Sequence, residues 1–172
     1  MADGRGESLL TIHTTWGPIR LVASQGRLAR CVLPLQQRPR SKAPRVLASS
    51  WSSASPADRS VLRAGEKMIR AALRGKTVDA IPTLADDGLT PFAKACRAAM
   101  LAIPMGTTIS YAELARRAGR PGAARAAGQI CARNPLPLIV PCHRVCAADR
   151  SPGGFSAGLG WKMWLLKAER AI

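Results

Sequence analysis

Acidic residues are scarce in this sequence of 172 residues: 10 Asp and Glu face 26 Lys and Arg, which gives a formal net charge of +16. The excess is not confined to one end, since residues 1–85 hold 14 basic and 5 acidic side chains and residues 86–172 hold 12 and 5. This distribution excludes a removable basic tail. The charge has two interpretations, a polyanionic partner or ordinary solvated faces rich in arginine.

The usual patterns of structural zinc sites and disulfide frameworks are also missing. The five cysteines form no CxxC pair, and the only histidines are His13 and His143. We therefore expect a protein without bound metal or a disulfide framework. No apolar run is long enough to span a bilayer, and the first residues lack the apolar segment of a signal peptide. We expect a soluble, cytoplasmic protein without a membrane partner.

The first half of the chain has the pattern of a small α+β domain, which we place at residues 1–85. Three runs rich in β-forming residues are joined by short turns and predict an antiparallel meander. These runs are residues 8–16, 19–23 and 28–33. Residues 36–55 contain clustered serines and are predicted to be a long surface excursion without its own core. Ser55 and Pro56 mark the start of a helix that Gly75 ends.

The second half, residues 86–172, has a helical period and follows a linker at 77–91. Apolar side chains predict one helix over 92–103, and a capping box at Ser110 and Glu113 starts a short helix over 111–118. A turn containing glycine and proline leads to a third helix, at 123–132. The last two helices form a helix-turn-helix arrangement, which is typical of DNA-binding proteins. The alternative is an alanine-rich helix packed inside a bundle.

A cysteine and a histidine stand side by side at Cys142 and His143, after a run at 138–140 that we predict to be buried and extended. A thiol attacks only as the thiolate, so a reactive cysteine needs a nearby base or positive charge. Neighbours in sequence rarely point at each other, and we expect proton transfer between these two through a bridging water. The alternative is a buried thiol beside an unrelated histidine.

Two further features accompany this pair. A glycine-rich loop at 151–158 is able to close over a small flat ligand. A last helix, at 159–170, has Glu169 near its end, where a carboxylate is unfavourable for the helix dipole. We interpret Glu169 as the group that orients His143 in a Cys-His-Glu relay, with a frayed surface end as the simpler alternative.

The Pro-Cys-His-Arg sequence at 141–144 resembles the signature of the O6-alkylguanine-DNA alkyltransferases, also called methylated-DNA–protein-cysteine methyltransferases. Several other blocks match the family in the same order, which is stronger evidence than one motif. These blocks are residues 109–115, 123–128, 134–137, 153–156 and 164–169. The resemblance is close over about residues 90–170. It implies a small ribonuclease-H-like amino-terminal domain, then a mostly helical, winged-helix-like domain with the helix-turn-helix.

The activity that the resemblance implies is DNA repair by a protein that is consumed in the reaction. Such a protein flips O6-alkylguanine, and also O4-alkylthymine, out of duplex DNA and transfers the alkyl group irreversibly to Cys142. The resemblance implies no cofactor and no zinc. The partner is double-stranded DNA that carries the lesion, and the protein is expected to be a monomer, with cooperative binding to DNA left open. In a bacterium it would associate with the nucleoid.

The resemblance also assigns roles to the reactive residues. His143 and Glu169 draw the proton from the Cys142 thiol through water, and Asn134 braces the turn that positions the cysteine. The Tyr111 hydroxyl and backbone groups of Cys142, Val145 and Ser156 hold the guanine, in the pocket formed with Gly154 and Phe155. Arg125 enters the base stack while the helix that follows lies in the minor groove. The DNA-contacting residues implied in this way are Tyr111, Ala112, Arg120, Arg125, Ala126, Ala127, Gly128 and Arg133.

Three positions depart from the family pattern. Phe155 replaces a frequent tyrosine, Ala112 replaces a glutamine that often contacts DNA, and Gly122 replaces a usual basic residue. Three alternative functions stay open. A non-transferring lesion-binding relative would lack the reactive cysteine, a Cys-His-Glu hydrolase would turn over repeatedly, and a plain helix-turn-helix module would need no activated thiol.

Overall fold

The computed structural model describes residues 6–38, 42–52, 54–78, 81–149 and 151–172, and its first half is an antiparallel sheet covered by one helix. The strands are β1 (Ser8–Thr14), β2 (Gly17–Ser24), β3 (Arg27–Val32) and β4 (Val46–Trp51), in the order β3-β2-β1-β4. The first three form the predicted meander. Gln25 and Gly26 close its second hairpin with φ of 55° and 70°, the positive values that a tight two-residue turn requires.

The fourth strand corrects the prediction for residues 36–55, which placed this segment on the surface but missed a strand within it. β4 pairs antiparallel with β1, placing Trp51 opposite Leu10, and forms one edge of the sheet. Most of its side chains are exposed, including the large apolar Leu47 and Trp51. The strand therefore lacks the alternation of buried and exposed residues that identifies a half-buried strand in a sequence.

Helix α1 (Pro56–Ala72) packs on this sheet. Its start is fixed as predicted, because the Ser55 hydroxyl accepts a hydrogen bond from the Asp58 amide at 3.1 Å. Gly65 allows the close approach, since a Cβ there would lie 3.1 Å from Leu21 Cδ1 and 3.2 Å from Leu28 Cδ2. The buried Asp58 carboxylate accepts bonds from the Ser8 hydroxyl and the Gly26 amide, at 2.8 and 2.7 Å, and so ties the helix start to the sheet.

The second half is mostly helical. Its elements are α2 (Pro91–Leu101), β5 (Ile109–Ser110), α3 (Tyr111–Arg117), α4 (Ala124–Ala132), a 3₁₀ turn (Cys142–Arg144), β6 (Val145–Cys146) and α5 (Leu159–Ala168). Ser110 caps α3 as predicted, and β5 pairs parallel with β6. The predicted helix at 159–170 is two residues too long, because Glu169 is the C-cap of α5. The predicted α+β class and the order of helices in the helix-turn-helix are confirmed.

The run at 138–140 is buried, as predicted, but it is not extended. Leu138 has a φ of 71°, and the chain turns twice, with the Val140 amide bound to the Leu136 carbonyl and the Cys142 amide bound to the Val140 carbonyl, both at 2.8 Å. The apolar side chains face the core even though no strand forms. Hydrophobicity alone does not distinguish a buried strand from a buried turn of this kind.

The two halves share one continuous hydrophobic core. Trp16 packs edge-on against Trp161 and Trp164, with ring centroids 4.7 and 5.6 Å apart, and the Trp161 indole donates to the Pro34 carbonyl at 2.7 Å. The division at residues 1–85 and 86–172 stays a prediction. Within the described ranges, no helix is both long and apolar enough to cross a membrane.

Candidate functional site

Cys142 begins the 3₁₀ turn and is almost fully buried, with 4% of its surface exposed. The Asn134 side chain holds it there. Its amide nitrogen donates to Cys142 Sγ and to the Val140 carbonyl, each at 3.1 Å, while its oxygen accepts from the Leu136 amide at 3.1 Å. The Asn134 side chain thus makes hydrogen bonds to the backbone of residues 136–140 that a neighbouring strand would otherwise make, and it donates one N–H group to the sulfur.

The surroundings of Cys142 act on its pKa in opposite directions, and the effect that favours the neutral thiol is the larger one. Burial raises the pKa of Cys142, whereas the hydrogen bond from Asn134 and the positive charge of Lys162 lower it by smaller amounts. The net direction is upward, so the thiol carries its proton near neutral pH. Any reaction at the sulfur therefore needs a base.

His143 has the chemistry of such a base and follows Cys142 in the 3₁₀ turn. Its side chain is 1% exposed, and Nε2 lies 2.9 Å from Glu169 Oε1. Burial lowers the pKa of His143, with Glu169 opposing this effect, so the ring is neutral near pH 7. Because a carboxylate only accepts hydrogen bonds, the single ring proton must sit on Nε2. Nδ1 then carries a free lone pair, and it is the one buried side-chain nitrogen or oxygen without a partner in the described part of the chain.

Glu169 accepts bonds from two basic side chains. Besides His143, the Arg144 guanidinium binds it through two nitrogens, each at 2.9 Å, and also donates to the Ile103 carbonyl at 2.6 Å. Burial alone would raise the pKa of Glu169, but the hydrogen bonds from His143 and Arg144 lower it to about 2. The carboxylate is ionised throughout the physiological range, and it fixes both the tautomer and the orientation of the imidazole.

Lys162 is a buried cation close to the reactive sulfur. It is 1% exposed, and its Nζ donates to the Val145 carbonyl at 2.6 Å. Burial lowers the pKa of Lys162, while the surrounding cysteines, Cys146 first, act in the opposite direction. The lysine thus stabilises negative charge at Cys142 and holds the backbone that follows the 3₁₀ turn.

The glycine-rich loop closes over Tyr111. Gly153 has a φ of 63°, and a Cβ at this residue would lie 2.8 Å from the Tyr111 hydroxyl oxygen, so only glycine fits. Burial raises the pKa of Tyr111, which keeps its hydroxyl protonated as a donor. Gly154 and Ser156 are exposed, whereas the Phe155 side chain packs partly against the core.

The exposed side of α4 combines small residues with an unpaired cation in its first turn. Arg125 is exposed in the first turn of α4, and none of the described residues pairs with it. Ala126 is exposed beside it, but the Ala127 side chain is fully buried. Ala127 was therefore wrongly assigned to the DNA-contacting set, because the inner face of α4 packs on the rest of the domain. A Cβ at Gly128 would lie 3.7 Å from Cδ1 of Tyr111, so α4 runs close to the tyrosine ring.

The other predicted DNA contacts lie around this surface. Ala112 and Arg133 are exposed. The Arg120 guanidinium lies 5.1 Å from the ring centroid of Phe92, a cation–π contact that restrains it beside the start of α2. Arg116 and Arg117 both bind Glu113 at 2.7 Å, so these two arginines are partly neutralised.

Comparison with known proteins agrees with this geometry. The family model described as "6-O-methylguanine DNA methyltransferase, DNA binding domain" matches residues 91–171. The methylated-DNA–protein-cysteine methyltransferase of Methanosarcina acetivorans is 39% identical over 107 residues, which are 62% of this chain and 68% of that protein. The chain belongs to this methyltransferase family.

Structural similarity extends the match beyond the second half. The OGT protein of Mycobacterium tuberculosis, solved in complex with DNA, is 32% identical with a TM-score of 0.72, and the alignment covers 94% of this chain and 91% of that one. The family's curated protein of Shigella flexneri is 40% identical over 92 residues, or 54% of this chain and 53% of that protein. Sequence similarity thus spans about half the length of that relative.

In this member of the methyltransferase family, the structure brings together most of the residues that the sequence singled out. Asn134 binds Cys142 and Glu169 binds His143, in two hydrogen-bonded pairs that meet in the 3₁₀ turn, where Cys142 and His143 are neighbours, and Tyr111 lies under the loop. Lys162 was missed. The sequence does contain a signal for it. Lys162 precedes Leu165 by three residues and Leu166 by four, so the helical period places its charge on the buried face of α5. Among the described residues, no group of three or more His, Cys, Asp or Glu side chains is arranged to hold a metal ion.

Proposed function

We propose that this protein repairs alkylated DNA by transferring an alkyl group from guanine O6 to its own Cys142. The observation that carries the proposal is the buried, unpaired Nδ1 of His143, a residue that follows the buried Cys142 in the 3₁₀ turn and whose other ring nitrogen binds an ionised carboxylate. A buried histidine with a purely structural role would normally have both nitrogens satisfied.

The transfer is a displacement at the alkyl carbon. The Cys142 proton moves to His143 Nδ1 through a bridging water, and Glu169 stabilises the imidazolium that forms. The sulfur then attacks the alkyl carbon, a C–S bond forms and the C–O6 bond breaks, and its electron pair stays with the guanine oxygen. The Tyr111 hydroxyl donates toward the ring nitrogen and stabilises the charge that develops on the base. The product is a thioether, which has no base-labile bond, so each chain reacts once.

The guanine site is assigned to Tyr111, the glycine-rich loop and the 3₁₀ turn that carries Cys142. The Ser156 amide faces O6, the carbonyls of Cys142 and Val145 accept from the exocyclic amino group, and Gly154 and Phe155 complete the wall. The Val145 carbonyl already accepts from Lys162, and its second lone pair remains for the base. In this arrangement Lys162 fixes the acceptor that selects guanine.

Access to the lesion requires base flipping. Arg125 is placed to fill the gap in the stack, and the small exposed residues of α4 allow the backbone to approach the minor groove closely. O4-alkylthymine, which offers an alkylated exocyclic oxygen of the same kind, is the second substrate. The protein acts as a monomer on duplex DNA.

The decisive experiment is intact mass spectrometry after incubation with a duplex that contains one O6-methylguanine. We expect one added methyl group per chain, located on Cys142 by peptide mapping, and no addition in the Cys142→Ser variant. The Cys146→Ser variant is the matched control, because Cys146 is a second buried thiol close by and should leave the addition unchanged.

Each alternative function predicts a different result in the same assay. A hydrolase would release product repeatedly and leave the protein mass unchanged. A lesion-binding protein without transfer would shift the DNA in a gel but gain no mass. Arg125→Ala separates flipping from chemistry: repair of duplex DNA should fall much more than reaction with the free O6-methylguanine base, and equal losses would contradict the flipping role.

A further inference from the structure

Helix α1 and the turn that follows it carry a row of basic side chains that the proposed repair reaction does not use. They occur at spacings of four, four, three and four residues, which places them on one side of a helix. The row consists of Arg59, Arg63, Lys67, Arg70 and Arg74. The opposite side of α1 is buried against the sheet through Leu62, Gly65 and Ile69.

The positive charge of this row is not balanced by α1 itself. Asp58 is buried and bound to Ser8 and the Gly26 amide, and Glu66 is bound by Arg70 at 2.8 Å. Within the described part of the chain, Arg59, Lys67 and Arg74 have no acidic partner. The Arg63 guanidinium lies 5.9 Å from the ring centroid of Trp51 on β4. Unlike the paired arginines of α3, most of this row is available to an external anion.

The row also borders a concave surface. A groove of about 450 Å³ lies along the second half of α1 and the segment that follows it. Five of its lining residues are cations and only one, Glu66, is acidic. The cations are Arg63, Lys67, Arg70, Arg74 and Lys76.

The length of the row fits an extended polyanion. From Arg59 to Arg70 the helix rises about 16 Å, at about 1.5 Å for each residue, and Arg74 extends the row into the turn that follows α1. The helical part alone corresponds to about five base pairs of duplex DNA, at about 3.4 Å for each step along a strand. Arginine predominates in the row, and its planar fork binds phosphate oxygens in pairs.

We propose that this face of α1 is a second, sequence-independent binding surface for the phosphodiester backbone of DNA. The inference rests on the proposed function, which supplies DNA as the partner. The surface belongs to the layer formed by α1 and the sheet, whereas the helix-turn-helix belongs to the layer of α2, α3 and α4. It holds duplex DNA outside the lesion site, and so it contributes to salt-sensitive retention on undamaged DNA rather than to the transfer step.

The test compares two triple variants that lose the same charge. The first replaces Arg59, Lys67 and Arg74 by glutamine. The control replaces three exposed cations outside α1, at Arg20, Lys42 and Arg45. Arg20 is a suitable member because its neighbours Ile19 and Leu21 are buried, with Leu21 facing Gly65 of α1, so Arg20 points to the other side of the sheet. Affinity for an undamaged duplex is measured from 50 to 200 mM NaCl for the wild type and both variants.

The α1 variant is expected to lower the slope of log affinity against log salt by about 2.7, at about 0.9 for each lost phosphate contact. Between 50 and 200 mM NaCl both proteins lose affinity. The factor by which the wild type weakens should be about 40 times the factor by which the α1 variant weakens. The control should change the slope by less than one third as much. If the triple variant is unstable, Lys67→Gln alone replaces it in the measurement, with an expected change of about 0.9 in the slope of log affinity against log salt.

Two outcomes would overturn the inference. Equal slopes for the two triple variants would mean that only total charge matters. An unchanged slope for the α1 variant would mean that the groove does not bind DNA, and an acidic protein would then be the occupant to examine. Methyl uptake from damaged duplex is recorded in parallel. If the wild type takes up no methyl group, the proposed function itself fails, whereas normal uptake with unchanged slopes removes only the second surface.

Discussion

Glu169 is a buried carboxylate with two basic partners, and replacing it by glutamine tests whether this cluster stabilises the fold as well as the site. The glutamine keeps the size of the side chain but removes the charge, leaving the Arg144 guanidinium, whose side chain is 12% exposed, without a counter-ion. The lowering of the Glu169 pKa from 4.5 to about 2 corresponds to about 3 kcal/mol, at about 1.4 kcal/mol for each unit. Breaking a buried ion pair typically costs about 3–5 kcal/mol. We therefore expect Glu169→Gln to lower the free energy of unfolding by about 3–5 kcal/mol at pH 7.

Glu113→Gln is the matched control. Glu113 also binds two arginines, and hydrogen bonds from Arg116 and Arg117 likewise lower its pKa to about 2, but its side chain is 29% exposed, against 2% for Glu169. Ion pairs on the surface contribute little and are screened by salt. Although the two carboxyl groups have the same pKa, Glu113→Gln should lower the free energy of unfolding much less than Glu169→Gln does. In 0.5 M NaCl the loss caused by Glu113→Gln should become smaller still, whereas the loss caused by Glu169→Gln should not change.

The assay is urea unfolding followed by circular dichroism, with a carboxyl titration by NMR on the wild type. Because the folded-state pKa of Glu169 is below the unfolded value, its stabilisation is present above about pH 4.5 and is lost as pH falls toward 2. By pH 3 about 2 of the 3 kcal/mol should be gone. A loss below 1 kcal/mol for Glu169→Gln at pH 7, or equal losses for the two variants, would refute the reasoning.

Three other predictions concern the rate of alkyl transfer, measured as a single turnover at saturating DNA. Because burial lowers the pKa of His143 below 6.5, the rate should be flat from pH 6.5 to 9 and fall only in acid; a tenfold rise for each pH unit through this range would instead indicate direct ionisation of the thiol. Lys162→Met, which removes the buried cation near the sulfur, should slow transfer at least tenfold, whereas Lys167→Met on the exposed side of α5 should not; equal rates would exclude a role for the buried charge. Gly153→Ala should slow transfer, because the new Cβ would meet the Tyr111 side chain and the φ of this residue is 63°. Gly154→Ala is the control and should be tolerated, because a Cβ at Gly154 meets no atom. Similar effects of the two variants would mean that the loop does not close over Tyr111 in solution.

The parts of the fold that could be predicted from sequence depend on local signals. Ser55 and Ser110 accept the amide bonds that a helix start leaves unpaired, and both helices begin where these residues predict. The meander followed from short turns between β-rich runs. In the site, Cys142, His143 and Glu169 were found together because a motif and an ill-placed carboxylate pointed to the same chemistry.

The parts that could not be predicted depend on contacts between distant residues. β4 is a strand because β1 offers an edge, not because its own pattern is that of a strand. Leu138 takes a positive φ because the Asn134 side chain supplies hydrogen bonds that a strand would otherwise supply. Ala127 is buried by the packing of α4, and an alanine gives no sequence signal of the face on which it lies.

The first half of the chain supplies none of the reactive groups, yet the geometry of the site depends on it. The Cys31 amide of β3 donates to the Pro135 carbonyl at 2.8 Å, next to the asparagine that positions the reactive thiol. The Gln36 amide binds the Ala157 carbonyl at 2.8 Å, and the Gly160 amide binds the Gln36 carbonyl at 2.7 Å, which fixes the end of the loop and the start of α5. A Cβ at Gly160 would collide with this same carbonyl, so the contact requires glycine. Because α5 carries Lys162 and Glu169 is its C-cap, the segment that follows β3 helps to position both of these charged groups from outside the second half. Structural similarity accordingly covers nearly the whole chain, whereas the family model describes a DNA-binding domain and matches residues 91–171.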